Sequence, residues 1–347
     1  MKKIKTTTVL LLLLAVTLLT ACKKDFLNTL PLDQVQAGET WKDPALAEAF
    51  VNGIYAGLGQ GGFRGSGEEM IAVFSDEAIF THQGRGINTF NEGTLNPSNT
   101  GLISTPTEWT FLYNNIRRAN IAMESLPGAT IDKALKDRLE GEARFLRAFF
   151  YHQLLRYYGG VPLITKVYSL NEDYSAARNT YAEVSTFIVK QADSAYALLK
   201  GKTRVRGRAS DLAALALKSR QLLYDASDLH DMTTAKAKSA VLAAFQKPEL
   251  IGFVSGDRKA RWQAAKDAAK AVLDEAGSGY KTNLAAPATF EEGRKNYISI
   301  AMGGASKHPD ADPAVASTNE LLFVRTFTLE RVEDGMRIGL QNGPQWI

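Results

Sequence analysis

A chain of 347 residues, 45% hydrophobic and 22% charged, has the composition of a globule large enough to bury an extensive core. Its formal charge of +4 rests largely on Lys2, Lys3 and Lys5 at the extreme N-terminus, so composition gives no reason to propose a nucleic acid partner. One cysteine rules out an internal disulfide framework.

Residues 1–21 read as a leader that is removed. A basic head precedes an apolar run from Val9 to Leu19, which ends at small residues and then at Lys23, Lys24 and Asp25. A membrane-spanning helix needs about 20 apolar residues, roughly twice this run. Leu19-Thr20-Ala21-Cys22 resembles the bacterial lipobox, in which the thiol is acylated before cleavage and the new amine afterwards. Several acyl chains on Cys22 hold a protein stably at a bilayer where one chain would not. Residues 22–42 are then a lipidated tether.

Helix signals organise residues 43–347. Asp43 and Pro44 open a helix that places Leu46, Phe50, Ile54 and Leu58 on one face. "TPTEWTFLYNNIRRANIAMESLP" repeats the apolar period with Trp109, Leu112, Tyr113, Ile116, Asn120 and Met123, and closes at Pro127-Gly128. The next helix runs from about Asp132 to Gly159-Gly160. Thr180 and Glu183 form a capping box for another, which Gly201 ends. Helices follow over "SDLAALALKSRQLLYDAS", "RWQAAKDAAKAVLDEAG" and near Phe290 to Ala301, and "NELLFVRTF" reads as the one strand. The predicted fold is mainly α, with helix pairs of tetratricopeptide type in an αα superhelix, long irregular loops and minor β. Helix pairs beginning near Trp109, Glu183 and Trp262 are too far apart for a regular 34-residue array, so the pairs are divergent and carry insertions.

Catalytic and metal motifs find little support. "GLGQGG" matches a dinucleotide pattern by letters but follows a helix and opens none. His82, His152, His230 and His308 are scattered and read as surface or core histidines, not ligands. Asp310 and Asp312 have calcium-loop spacing, but the turn glycine is missing and Leu321 stands where the bidentate glutamate belongs. The adjacent acids Asp76-Glu77 and Glu291-Glu292 point different ways on a helix and read as solvated faces, not a glycosidase pair. No G-x-S-x-G elbow is present. No catalytic residue, metal or cofactor is assigned.

The distinctive stretch runs from Gly57 to Gly101 and holds ten glycines. Structureless loops longer than about 15 residues in a compact domain are usually functional or disordered. Sugars are held by aromatic faces and by planar amide or guanidinium donors. Arg85, Asn88, Phe90 and Asn91 supply those groups in one short span, with turn geometry the plainer explanation of any single residue. Trp109 and the Tyr157-Tyr158 pair lie in helix register and are assigned to structure.

Four segments carry a resemblance: "CKKDFLNTLPLDQV", "WTFLYNNIRRANIAMESL", "GEARFLRAFFYHQLLRYYGGVPLI" and "GRASDLAALALKSRQLLYDASDLH". In these the chain resembles the SusD/RagB family of outer-membrane, nutrient-binding lipoproteins. The resemblance implies a tetratricopeptide-like helical scaffold with ligand-binding loops, no enzymatic activity, an oligosaccharide ligand, and a partner: a SusC-like TonB-dependent transporter over which the lipoprotein sits as a lid. It also implies a location on the outer membrane, lipid-anchored and facing the surface. Family members continue well past a segment like "IGLQNGPQWI", so the α-helical domain over 43–347 is expected to be incomplete at its C-terminal end. Two other classes fit the helices alone: a periplasmic scaffold that binds proteins in tetratricopeptide-like grooves, and a surface lipoprotein that captures peptides.

Overall fold

The computed structural model describes residues 37–58, 92–94, 96, 98, 106–169, 171–280, 284–302, 309–312, 314–315 and 321–324. Its helices are α1 (Ala37–Thr40), α2 (Pro44–Tyr55), α3 (Pro106–Ser125), α4 (Lys133–Tyr158), α5 (Tyr181–Leu199), α6 (Asp211–Ala226), α7 (Met232–Lys238), α8 (Ala240–Ala244), α9 (Arg258–Ala276) and α10 (Phe290–Met302). Among the described residues no strand forms. Asp231 and Phe253 make an isolated parallel bridge. The expected strand at "NELLFVRTF" is corrected over its described part: Leu321–Val324 is an irregular segment, and Phe323 packs edge-on against Phe145 of α4 at 4.9 Å. That contact explains Phe323 without a sheet, while Leu321 stays half-exposed.

Helix starts follow local chemistry. Asp43 accepts from the amides of Ala45 (2.7 Å) and Leu46 (3.0 Å), with Pro44 in the first turn. The box at Thr180 closes in both directions, Glu183 N to Thr180 Oγ1 at 3.2 Å and Thr180 N to Glu183 Oε2 at 2.8 Å. Thr289 and Glu292 build a second box on α10. The buried face of α2 is Ala47, Val51 and Ile54. It is turned by one position from the stripe predicted through Leu46 and Phe50, because Phe50 leans sideways onto Trp41, 5.0 Å between centroids.

Each long helix packs on the one before it: α4 on α3, α5 on α4, α6 on α5, and α9 on α6, with α2 against α3 and α4. This gives the tetratricopeptide-like stack of helix pairs. One hydrophobic core runs through α2 to α6, and Ile116, Leu139, Phe150, Leu154, Val184 and Ile188 in it are fully buried. Small residues permit close approach, since a Cβ on Gly141 would lie 2.7 Å from Leu199 Cγ.

The extended link from α4 to α5, "GGVPLITKV", has no sheet to join, and side chains take over the pairing of its backbone. Tyr151 Oη accepts from Ile164 N at 2.7 Å and donates to Ile164 O at 3.0 Å. Tyr113 Oη donates to Pro162 O at 2.7 Å, and Asn120 Nδ2 to Ile164 O at 3.0 Å. Asn120, predicted on the apolar face of α3, is thus buried and satisfied. Trp109 also takes its predicted structural place, against Tyr113 (5.0 Å) and Tyr158 (5.2 Å).

Candidate functional site

Cys22, Arg85, Asn88, Phe90 and Asn91 lie outside the described residues. A cleft of about 250 Å³ sits elsewhere, between the α5–α6 loop, Gly279–Tyr280 and Leu321–Val324. The loop reads "KGKTRVRGR", with a cation at every second position: Lys200, Lys202, Arg204, Arg206 and Arg208.

Two of these arginines are fixed by buried carboxylates. Arg208 grips Glu142, which is 1% exposed, through Nε (3.0 Å) and Nη2 (2.6 Å). Glu142 also accepts from Arg138 (3.1 Å) and from the Tyr55 hydroxyl (2.9 Å), and Tyr55 Oη in turn accepts from Ala209 N at 2.9 Å. Burial, reinforced by the adjacent Glu142 charge, raises the Tyr55 phenol well above its ordinary range. At the other end Arg204 pairs with both oxygens of buried Asp211 (2.7 and 2.9 Å) and reaches Glu275 of α9 at 3.4 Å. Hydrogen bonding to Asp211 raises the pKa of Arg204. The Arg204 guanidinium also lies 5.7 Å from the centroid of Tyr280.

Between these anchors the loop makes a tight turn, closed by Arg208 N to Val205 O at 3.0 Å, with Gly207 at φ 85°. Arg206 stands at the second position of that turn, exposed and lining the cleft, and among the described residues it has no hydrogen bond or ion pair. No acidic side chain lines the cleft among the described residues. A neighbouring apolar groove of about 320 Å³ lies between Phe145 and Phe149 of α4 and Ala213, Ala216 and Leu217 of α6, with Arg220 also lining it and Leu321–Phe323 as the wall shared with the cleft.

A second polar cluster is deeper and structural. His152 of α4, 1% exposed, shares a hydrogen bond from Nδ1 with Gln221 Oε1 (2.8 Å), and Gln221 donates to Asp225 (2.8 Å) and Ser185 (3.2 Å). Ser185 donates to Asp225 at 2.5 Å. Burial pushes His152 down to about 4 and pushes the Asp225 carboxyl up. His230 stacks on Tyr181 at 4.4 Å, with Nδ1 2.8 Å from Ile251 O. His152 is a core residue and His230 is half-buried at the edge of the stack. Asp310 pairs with Arg294 at 2.8 Å, while Asp312 accepts from Ala314 N at 2.8 Å. Glu291 pairs with Arg294 at 2.6 Å, whereas Glu292 caps its own helix.

The sequence reading did not single out Arg206 or Tyr280. The alternation of cations between Gly201 and Gly207 was the available signal, but it does not say which of five charges are neutralised.

Residues 25–223 match the SusD-like family model described as "starch-binding associating with outer membrane". A SusD-like protein of Formosa agariphila is 26% identical over 240 residues, 61% of this chain and 46% of that protein. A SusD superfamily protein of Bacteroides thetaiotaomicron superposes with a TM-score of 0.50 at 21% identity, over 73% of this chain and 49% of that one. A laminarin-binding SusD-like protein aligns at 27% identity with a TM-score of 0.47, over 56% of this chain and 42% of that one. The chain therefore spans less than half the length of each of these relatives.

Proposed function

This chain belongs to the SusD-like family, described as starch-binding and associating with the outer membrane, and from that membership we propose that it binds oligosaccharide at the cell surface and passes it to a SusC-like TonB-dependent transporter. The observation that carries this reading is the family match across α2 to α6, the helices that form the core and position the cleft. Cys22 is the proposed lipid anchor, and the protein is a binder without catalytic function.

The chemistry of the cleft supports a sugar ligand. It sets the Tyr280 ring beside the apolar Leu321–Val324 segment in a concave wall, an aromatic face of the kind that stacks on the C–H surfaces of sugars. The cleft and the segment bearing Arg85, Asn88, Phe90 and Asn91 are the two proposed contributors to the ligand surface. Calorimetric titration with neutral malto- and laminari-oligosaccharides tests this. Tyr280→Ala and Phe90→Ala should each weaken binding by about fivefold, on the order of one aromatic contact. Unchanged affinity in both variants would put the sugar elsewhere, and a protein that binds no glycan would remove the reading.

A further inference from the structure

We infer that the cleft between the α5–α6 loop and Tyr280 selects anionic oligosaccharides, with Arg206 as the residue that reads a carboxylate or sulfate on the sugar. This rests on the glycan-binding reading above and names its substrate class. The inference comes from a difference among side chains that look equivalent in sequence. Arg204 and Arg208 are committed to Asp211, Glu275 and Glu142. Their charges hold the loop and are not available to a ligand.

Arg206 is set apart by the turn. Gly207 at φ 85° lets the chain reverse between the two anchored arginines, so the guanidinium between them is presented at the rim of a concave wall, and among the described residues no carboxylate neutralises it. Lys200 and Lys202 belong to the same loop but do not line the cleft. Lys200 lies 5.2 Å from the Tyr196 ring and Lys202 Nζ donates to Ala134 O at 3.0 Å, and neither has an ion-pair partner among the described residues. The result is one guanidinium without an ion pair among the described residues, set in the cleft beside an aromatic ring and the apolar Leu321–Val324 segment. A neutral sugar gains nothing from the unpaired charge, whereas a uronate or sulfate ester gains a charge-assisted, potentially bidentate hydrogen bond. Concavity favours a chain of sugars over a flat anionic membrane, which could touch the loop tip but not Tyr280 or Phe323 within the cleft.

The test is calorimetric titration of the full chain with oligogalacturonate and chondroitin sulfate oligosaccharides, against malto- and laminari-oligosaccharides of equal length, with polyglutamate and anionic phospholipid vesicles as further arms. The expected result is that an acidic oligosaccharide binds about tenfold more tightly than its neutral counterparts. Raising ionic strength should erode that preference. Arg206→Gln should abolish it while leaving neutral binding and thermal unfolding unchanged, and Arg206→Lys should restore part of it. Galacturonate winning over sulfate, or the reverse, identifies which anion is read. Equal affinity for neutral and acidic sugars, untouched by Arg206→Gln, overturns the inference and leaves glycan binding standing. Binding of polyglutamate or vesicles as tightly as acidic sugar also overturns it, by reducing the loop to a general anion patch. A chain that binds no sugar in any arm removes the glycan reading itself.

Discussion

His152 shows how one buried side chain sets a pH limit on the fold. Its imidazole is held neutral because burial disfavours the charged form, down to about 4 from an ordinary 6.5. In the unfolded chain it takes up a proton as pH falls through that ordinary value, while in the folded chain it does not until about 4. Stability from this group is therefore fully present above 6.5 and is lost as pH drops toward 4, up to about 3 kcal/mol. Asp225, with its raised pKa, acts in the opposite sense, gaining stability as pH falls through its folded value. Urea unfolding across this range should show a shallower pH dependence for His152→Gln than for wild type, and identical slopes would mean that the histidine titrates alike in the folded and unfolded chains. The histidine's presence was plain in "RAFFYHQLL", but its burial depended on Gln221, 69 residues away.

At the scale of elements, the joint at Gly159-Gly160 governs how α4 hands over to α5. Gly159 adopts φ 71°, and a Cβ there would lie 2.2 Å from Leu250 O. A Cβ on Gly160 would lie 2.1 Å from Asn179 O and 3.0 Å from Tyr181 N, backbone atoms that cannot swing aside. The close approach is used, since Gly160 N donates to Leu250 O at 2.6 Å and Arg178 Nε donates to Gly160 O at 2.7 Å. Gly160→Ala should therefore destabilise the protein by about 2–4 kcal/mol, as overpacking against rigid backbone does. Thr180→Ala, which removes only a cap, should cost about 1 kcal/mol. Thermal melts of the two variants compare them directly, and a Gly160→Ala loss no larger than that of Thr180→Ala would show that the joint relaxes. The capping box was readable because it depends on residues three apart. The glycine contacts involve Leu250, which only the folded chain brings near.

For the molecule as a whole, the stack of helices holds a rigid frame from which loops present ligand groups, and the proposed anchor decides where that frame works. The Cys22→Ala variant, expressed in a host with lipoprotein processing, should leave the membrane fraction or accumulate as an uncleaved precursor. Wild type should remain membrane-bound and be digested by protease added to intact cells. A Cys22→Ala protein that is still cleaved after Ala21 and still carries lipid would overturn the anchor, and a wild type protected until permeabilisation would favour a periplasmic position. The same frame makes the Arg206 test interpretable, because Arg208 and Arg204 fix both ends of the loop to α4, α6 and α9, and a change at its tip leaves those anchors intact.

The sequence by itself determined the mainly α class, the ends of most long helices and the family, since caps, terminating glycines and apolar period act within a few residues of one another. It also held the alternating cations of the α5–α6 loop, a signal that was not read from it. The short helices α7 and α8 were missed because seven and five residues give too little period to read. The apparent strand at Leu321–Val324 was misread because an apolar segment laid against helices and a strand in a sheet show the same short apolar run. Only the tertiary structure decided which charges of the loop are spent. Glu142 lies 66 positions from Arg208 and Glu275 lies 71 from Arg204, and neutralisation acts through distances of about 3 Å that chain separation does not encode. Among the described residues, that pairing leaves Arg206 as the cleft arginine without an ion pair.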